Sequence, residues 1–259
     1  MKRVLRLLLF VCLVKGVVWA APDPFVGKWK LNPSRSKLTD EMKVAAAGEN
    51  KYRFDFGSGN TETIVVDGTD QPGIFGTTLA VSAEGADKWK VVRKKDGRVQ
   101  VTGIWTLSSD GKTLTDEFTA PRADGSVTSL HYIYERNGDG SGFAGTWDST
   151  TEQVNSTFEI EIAPFGDDGL SFITPAQKMT QNLKFDGKDY PATGPNLPDG
   201  FGVSGRRIDS RSLDLRSSIQ GKVLYTQHVE VSPDQRTLTM TTHAPSRAKP
   251  NVMVFEREP

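Results

Sequence analysis

The sequence predicts an all-β protein built from two tandem antiparallel β-barrels of about eight to nine strands each. Three observations carry this expectation. A set of landmarks occurs twice along the chain, apolar and polar residues alternate with a period of two, and tight-turn pairs fall every ~8–12 residues.

The repeat comes first. Phe25-Val26-Gly27-Lys28-Trp29 returns as Phe143-Ala144-Gly145-Thr146-Trp147. Val66-Asp67-Gly68 returns as Phe185-Asp186-Gly187, and Gly97-Arg98-Val99 as Gly221-Lys222-Val223. Asp110–Thr115 returns as Asp234–Thr239, and Tyr134-Glu135-Arg136 as Phe255-Glu256-Arg257. The offsets are 118, 119, 124, 124 and 121 residues, always in the same order. The polar, Gly-rich run at 137–142 reads as the linker, so residues 23–136 form unit one and residues 143–258 form unit two.

Within each unit the periodicity is that of strands. Phe158–Ile162 and Thr237–Thr241 alternate cleanly. Asp67-Gly68, Asp96-Gly97, Asp110-Gly111, Asp124-Gly125 and Asp186-Gly187 supply the positive φ that hairpin turns need. Residues 37–47 are the one stretch expected to hold a short helix. Tyr190–Asp199 reads as a long connection or lid.

The N-terminus is of another kind. Lys2, Arg3 and Arg6 precede an apolar stretch ending in Val18-Trp19-Ala20, the pattern of a secretory signal peptide over residues 1–20. It is too short and too interrupted for a membrane span, so no integral span is expected after cleavage. The expected location is periplasmic or secreted. The segment holds the only cysteine, Cys12, and four of the 32 basic groups. The remainder, with 28 basic against 32 acidic groups, has no disulfide, thiol nucleophile or thiolate metal site. It also lacks the basic surplus that would point to nucleic acid.

Gly-x-Trp on a first strand with an Arg ending the last strand resembles the lipocalin (calycin) barrel. Here these are Gly27, Trp29 and Arg136, then Gly145, Trp147 and Arg257. The phrases at 27–37 and 186–191 resemble exported bacterial proteins with lipocalin-like domains. The resemblance covers nearly the whole chain after residue 22. It implies that Trp29 and Trp147 close one end of a barrel under Arg136 and Arg257, a cation–π contact.

Alternation then assigns the inner faces. If Val231 lies opposite Arg236, then Tyr225, Gln227, Val229, Leu238 and Met240 face inward. The equivalent register in unit one sends Val101, Gly103, Trp105, Leu114, Asp116 and Phe118 inward. Tyr132, Tyr134 and Arg136 share a face, as do Met253, Phe255 and Arg257. Asp116 stands out: a carboxylate on an apolar face is costly unless a partner or a polar cavity meets it.

Catalytic patterns are absent. Gly202-Val203-Ser204-Gly205 breaks the nucleophile elbow, and Asp110–Thr113 is a hairpin turn without a phosphate loop's glycines. His131, His228 and His243 are scattered, with His243 expected opposite Leu224 and four residues along from His228. Asn137 to Asp148 spaces oxygen residues like a calcium loop, but strands flank it. Glu159 and Glu161 share a strand face turned away from Phe158, Ile160 and Ile162, toward water. Asn155-Ser156-Thr157 is a glycosylation sequon only where the source glycosylates secreted proteins.

The functional expectation is a non-catalytic protein, without metal or cofactor, that binds a small, mostly apolar ligand in one or both barrels. The candidate contacts are Trp105, Asp116, Phe118, Tyr132 and Tyr134 in unit one, and Tyr225, Gln227, Met240 and Phe255 in unit two. A structural or interaction module with side-chain-filled barrels is the second reading, and a carbohydrate hydrolase the third. The oligomeric state is open.

Overall fold

The computed structural model describes residues 23–57, 59–154, 158–245, 247 and 249–259, with side chains from residues 151–154 left aside. The expected signal peptide over residues 1–20 and the Asn155-Ser156-Thr157 sequence lie outside the described residues. The fold is all-β, with two nearly closed ten-stranded antiparallel barrels in tandem. The expected strand count was eight to nine. The additional strands include the two-residue β5 (Gln71–Pro72) and β15 (Tyr190–Pro191), too short to show alternation.

Unit one supplies β1 (Gly27–Leu31), β2 (Glu41–Gly48), β3 (Lys51–Asp55), β4 (Thr61–Val65), β5, β6 (Thr78–Ala83), β7 (Lys88–Lys95), β8 (Arg98–Leu107), β9 (Thr113–Pro121) and β10 (Val127–Ser141). Unit two supplies β11 (Ala144–Val154), β12 (Glu159–Pro164), β13 (Gly169–Thr174), β14 (Met179–Lys184), β15, β16 (Phe201–Arg207), β17 (Ser212–Ile219), β18 (Lys222–Val231), β19 (Thr237–His243) and β20 (Asn251–Arg257). Ten strands repeat as ten.

The sheets do not follow the unit boundary. β11 lies between β2 and β10, and β1 lies between β12 and β20. Each unit has given its first strand to the other's barrel. Barrel one is therefore β2–β11, and barrel two is β1 with β12–β20. The run at 137–142 is not an inter-barrel linker: it ends β10 and turns at Gly142 (φ +55°) into β11, a hairpin within barrel one. That tight turn holds β11 beside β10, which leaves β11's slot in barrel two to β1. The chain crosses between barrels at residues 32–40 and between Val154 and Glu159.

The exchange corrects the expected closure pairs. Trp29 lies under Arg257, not Arg136, with the guanidinium 4.1 Å from the ring. Trp147 lies under Arg136, also at 4.1 Å. Each Trp Nε1–H donates to a carbonyl four residues back, Phe25 at 2.8 Å and Phe143 at 3.0 Å. Each Arg donates to three carbonyls, those of Gln235, Val26 and Pro24 for Arg257, and of Gly111, Ala144 and Gly142 for Arg136. The glycine of Gly-x-Trp follows from this packing. A Cβ on Gly27 (φ +149°) would collide with Arg257 Nη1, and one on Gly145 with Arg136 Nη1.

At the seams, Thr180 and Thr193 exchange two backbone hydrogen bonds of 2.9 Å in barrel two. In barrel one the Gln71 side chain acts as a strand residue, accepting from Val65 N–H at 2.9 Å and donating to its carbonyl at 2.8 Å.

Two local expectations change. Residues 41–48 form β2 rather than a helix, because Met42 and Val44 are buried between β11 and β3 while Lys43 points out. Sheet pairing overrides the helix preference of the alanines. Registers also slip by two residues. Val231 faces Leu238 and Leu107 faces Leu114, so His243 lies opposite Thr226 rather than Leu224. The cause is a longer turn. Ser232 Oγ accepts from Thr237 N–H and donates to Asp234, and Ser108 does the same with Thr113 and Asp110. A slip of two preserves every face assignment.

Candidate functional site

The closed half of barrel one is filled by its own rings. Trp89 stacks on Phe143 with centroids 3.9 Å apart, and Trp105 lies 6.3 Å from Trp89 and 6.1 Å from Phe54. Trp105, at 2% exposure, is packing rather than lining. Above it the inner ladder pairs Leu114 with Tyr134, Asp116 with Tyr132, Phe118 with Leu130 and Ala120 with Thr128. Phe118 stacks on Tyr132 at 5.6 Å and Tyr132 on Tyr134 at 5.8 Å. The unit-one candidates thus share one wall of barrel one.

That wall carries a buried acid cluster. Asp116 lies across from Trp105 and Tyr132, and its Oδ1 accepts no hydrogen bond. Burial pushes its carboxyl up to about 7; the indole N–H of Trp105 opposes this, and the charges of Asp40 and Glu117 add to it. Tyr134 donates to Asp40 Oδ2 at 2.8 Å. Burial also raises Asp40, against the charge of Arg247, whose Nη2 is 2.7 Å from Asp40 Oδ1. Arg247 belongs to barrel two, so this pair ties one barrel to the segment entering the other. A second buried pair joins Glu62 and Arg93. Glu62 Oε2 also accepts from Ile74 N–H at 2.9 Å, and Arg93 donates to Thr77 at 2.8 Å.

In barrel two the candidates are packed in an apolar interior. Met240 (5% exposed) and Phe255 (0%) lie in its core with Tyr225 against them. Gln227 donates to Thr242 at 3.1 Å, and burial raises the Tyr225 phenol.

The open ends of the barrels meet. Lys95 Nζ donates to Leu197 O at 2.6 Å, Lys222 Nζ to Asn60 Oδ1 at 3.0 Å, and Asp124 N–H to Ala176 O at 3.3 Å. Residues 37 and 252 exchange two backbone hydrogen bonds of 2.7 and 2.8 Å. Between the mouths lies an open cleft of about 380 Å³. Barrel one contributes Ala120, Thr128 and Leu130 from its inner ladder, with Gln100, Pro121 and Arg122 at its rim. Barrel two contributes Leu31, Phe158, Met179, Leu197 and Met253.

None of the nine expected contacts lines this cleft. Their ladder partners do: Leu130 faces Phe118 across β9–β10, and Met253 faces Met240 across β19–β20. The sequence placed Met253 on the inner face, but nothing in it said that the mouths adjoin. The expected long connection does contribute, through Gly194, Asn196 and Leu197.

Comparisons with protein-family models, curated proteins and solved structures found no match. The barrel architecture is compatible with the lipocalin-like pattern.

The remaining motifs have plain placements. Asn137 Nδ2 donates to Asp148 Oδ2 at 3.0 Å across the β10–β11 hairpin, so the calcium-like spacing is a strand pairing. Glu159 and Glu161 lie opposite Lys30 and Lys28. His228 Nδ1 lies 2.8 Å from Asp214 Oδ1 on the outer face of barrel two. Among the described residues, no group of three His, Cys, Asp or Glu is placed to hold a metal ion, and no helix is long and apolar enough to cross a membrane.

Proposed function

We propose that this is an exported, non-catalytic binding protein that holds a small, mostly apolar molecule between its two lipocalin-like barrels. The observation that carries the reading is the cleft. Its volume of about 380 Å³ falls in the range of small-molecule sites, and its walls are mostly apolar with a few polar groups. Export rests on the N-terminal segment. Because the closed halves are packed with their own side chains, this reading seats the ligand at the mouths rather than deep in either barrel. Asp116, Phe118, Tyr132 and Met240 then lie one step behind the contact surface.

The test is native mass spectrometry of the protein purified from its own cell envelope, followed by organic extraction and by uptake of an environment-sensitive apolar dye. A bound small molecule is expected, together with dye binding that Leu130→Arg abolishes without changing the melting temperature by more than a few degrees. Leu130 is only partly buried, so an arginine there reaches solvent. An apo mass with no dye uptake overturns the reading. The filled interiors would then favour a structural module of the envelope.

A further inference from the structure

Resting on that reading, we infer that the ligand is an amphiphile with an uncharged, hydroxylated head: the head meets the carboxamides of Gln100, Gln177 and Asn196, and the apolar body lies against Leu31, Phe158 and Met253.

The cleft has two unlike sides. On one side β1, β12 and β20 come together. Leu31 N–H donates to Phe158 O at 2.8 Å, and Leu31 pairs with Phe255, two residues beyond Met253. Lys37 pairs with Val252, which brings Leu38 to the same side. The surface there is apolar and suits an alkyl or ring body. On the other side polar contacts join the barrels. Asp124 N–H donates to Ala176 O at 3.3 Å, which sets Gln177 beside the β9–β10 turn. Lys95 Nζ donates to Leu197 O at 2.6 Å, which sets Asn196 beside the β7–β8 hairpin. Gln100 lies in that hairpin at a bulge of β8, between Val99 opposite Lys94 and Val101 opposite Arg93.

The three carboxamides are the open polar groups of the cleft. None of their side chains has a hydrogen-bond partner among the described residues. Gln100 and Gln177 are half-buried and Asn196 is exposed, so water can serve them while the cleft is empty. A ligand that covers them must replace that water or leave them unpaired, which disfavours a purely apolar body there. The nearby charges are already engaged. Arg122 donates from Nε to Thr128 Oγ1 and interacts electrostatically with Asp124 of its own turn, and Lys95 holds Leu197. An ionic head of either sign would give up water without meeting an unengaged counter-charge. Hydroxyls fit instead. A carboxamide accepts from one hydroxyl through its oxygen and donates to the next through its NH₂, so a head with adjacent hydroxyls matches it.

The experiment is calorimetric titration of the purified protein with octyl glucoside, octanol, octanoate and octylamine, each below its micelle concentration. It is run on wild type, Gln100→Leu, Gln177→Leu and the double variant. Octyl glucoside is expected to bind one per protein, about tenfold tighter than octanol, and the two ions no tighter than octanol. Each single variant should cut the glucoside preference about threefold, and the double variant should erase most of it. Octanol binding should survive in all of them, which separates loss of the head contacts from loss of the fold. Equal binding of octyl glucoside and octanol in wild type overturns the hydroxylated head and leaves the cleft as the site. Tighter binding of octanoate or octylamine overturns the uncharged head. A glucoside preference that survives in the double variant overturns the role of Gln100 and Gln177. If nothing in the series binds, the cleft reading falls as well.

Discussion

At their closed ends the two barrels match group for group, and in their interiors they do not. Trp29 and Trp147 sit at the same distance beneath Arg257 and Arg136, with matching indole bonds and the same glycine two residues ahead. Further in, Trp89, Trp105, Asp116 and Tyr134 of barrel one correspond to Leu213, Val229, Met240 and Phe255 of barrel two. Barrel one keeps buried polar groups and their partners, Tyr134 with Asp40 and Glu62 with Arg93. At the equivalent positions barrel two is uncharged, with Phe255 for Tyr134, Gln181 for Glu62 and Ser217 for Arg93. A core tolerates apolar exchange when volumes repack, but a polar group must keep its partner or disappear with it. The closure device specifies the barrel, and the interior is free to diverge.

The largest effect should come from breaking the closure. Trp29→Ala and Trp147→Ala should each lower stability by about 3–5 kcal/mol, the cost of emptying a buried Trp site. Because the first strands are exchanged, the damage should appear in the other unit. Hydrogen exchange should accelerate across residues 159–257 for Trp29→Ala and across residues 41–136 for Trp147→Ala. Acceleration of β2–β10 by Trp29→Ala would contradict the exchange.

A smaller effect sharpens the contrast in the interiors. Glu62→Leu leaves the Arg93 charge without its partner and should cost about 3 kcal/mol in urea denaturation. Arg93 keeps some contact with solvent, which holds the value to the low end. Adding Arg93→Met, which removes the remaining charge as barrel two does, should restore most of the loss. If the double variant is no better than the single one, the pair is not an isolated unit of charge.

The closure and the inner faces were legible in the sequence because each is local. Gly-x-Trp, the terminal Arg and period-two alternation need no knowledge of which strand lies next door. The strand exchange was not legible for the same reason. β1 and β11 carry the same glycine and the same inward Trp, so either satisfies either slot. Only the tight turn at Gly142 decides between them. The cleft depends on the exchange, since the mouths adjoin where residues 32–40 cross over. Asp116 was legible as an anomaly, and the structure keeps it one.

The smallest effect concerns that residue. Asp116 has a folded-state pKa of about 7, above the ordinary carboxylate value of 3.8, because burial penalises the charged form. Between these values the folded protein binds the extra proton, so stability falls as pH rises from about 4 to 7, and the full penalty remains above pH 7. Between pH 5 and pH 8 this group should cost roughly 2 kcal/mol. Asp40, raised in the same direction, adds a slope of the same sign that persists in any Asp116 variant. Asp116→Met, the barrel-two residue, should therefore flatten the pH dependence of urea denaturation without abolishing it, and stabilise the protein at pH 8 more than at pH 5. The corresponding change in barrel two, Met240→Asp, should introduce the slope that Asp116→Met removes. If Asp116→Met leaves the slope unchanged, the wild-type carboxyl titrates in contact with water, and the interior of barrel one is wetter than its packing implies.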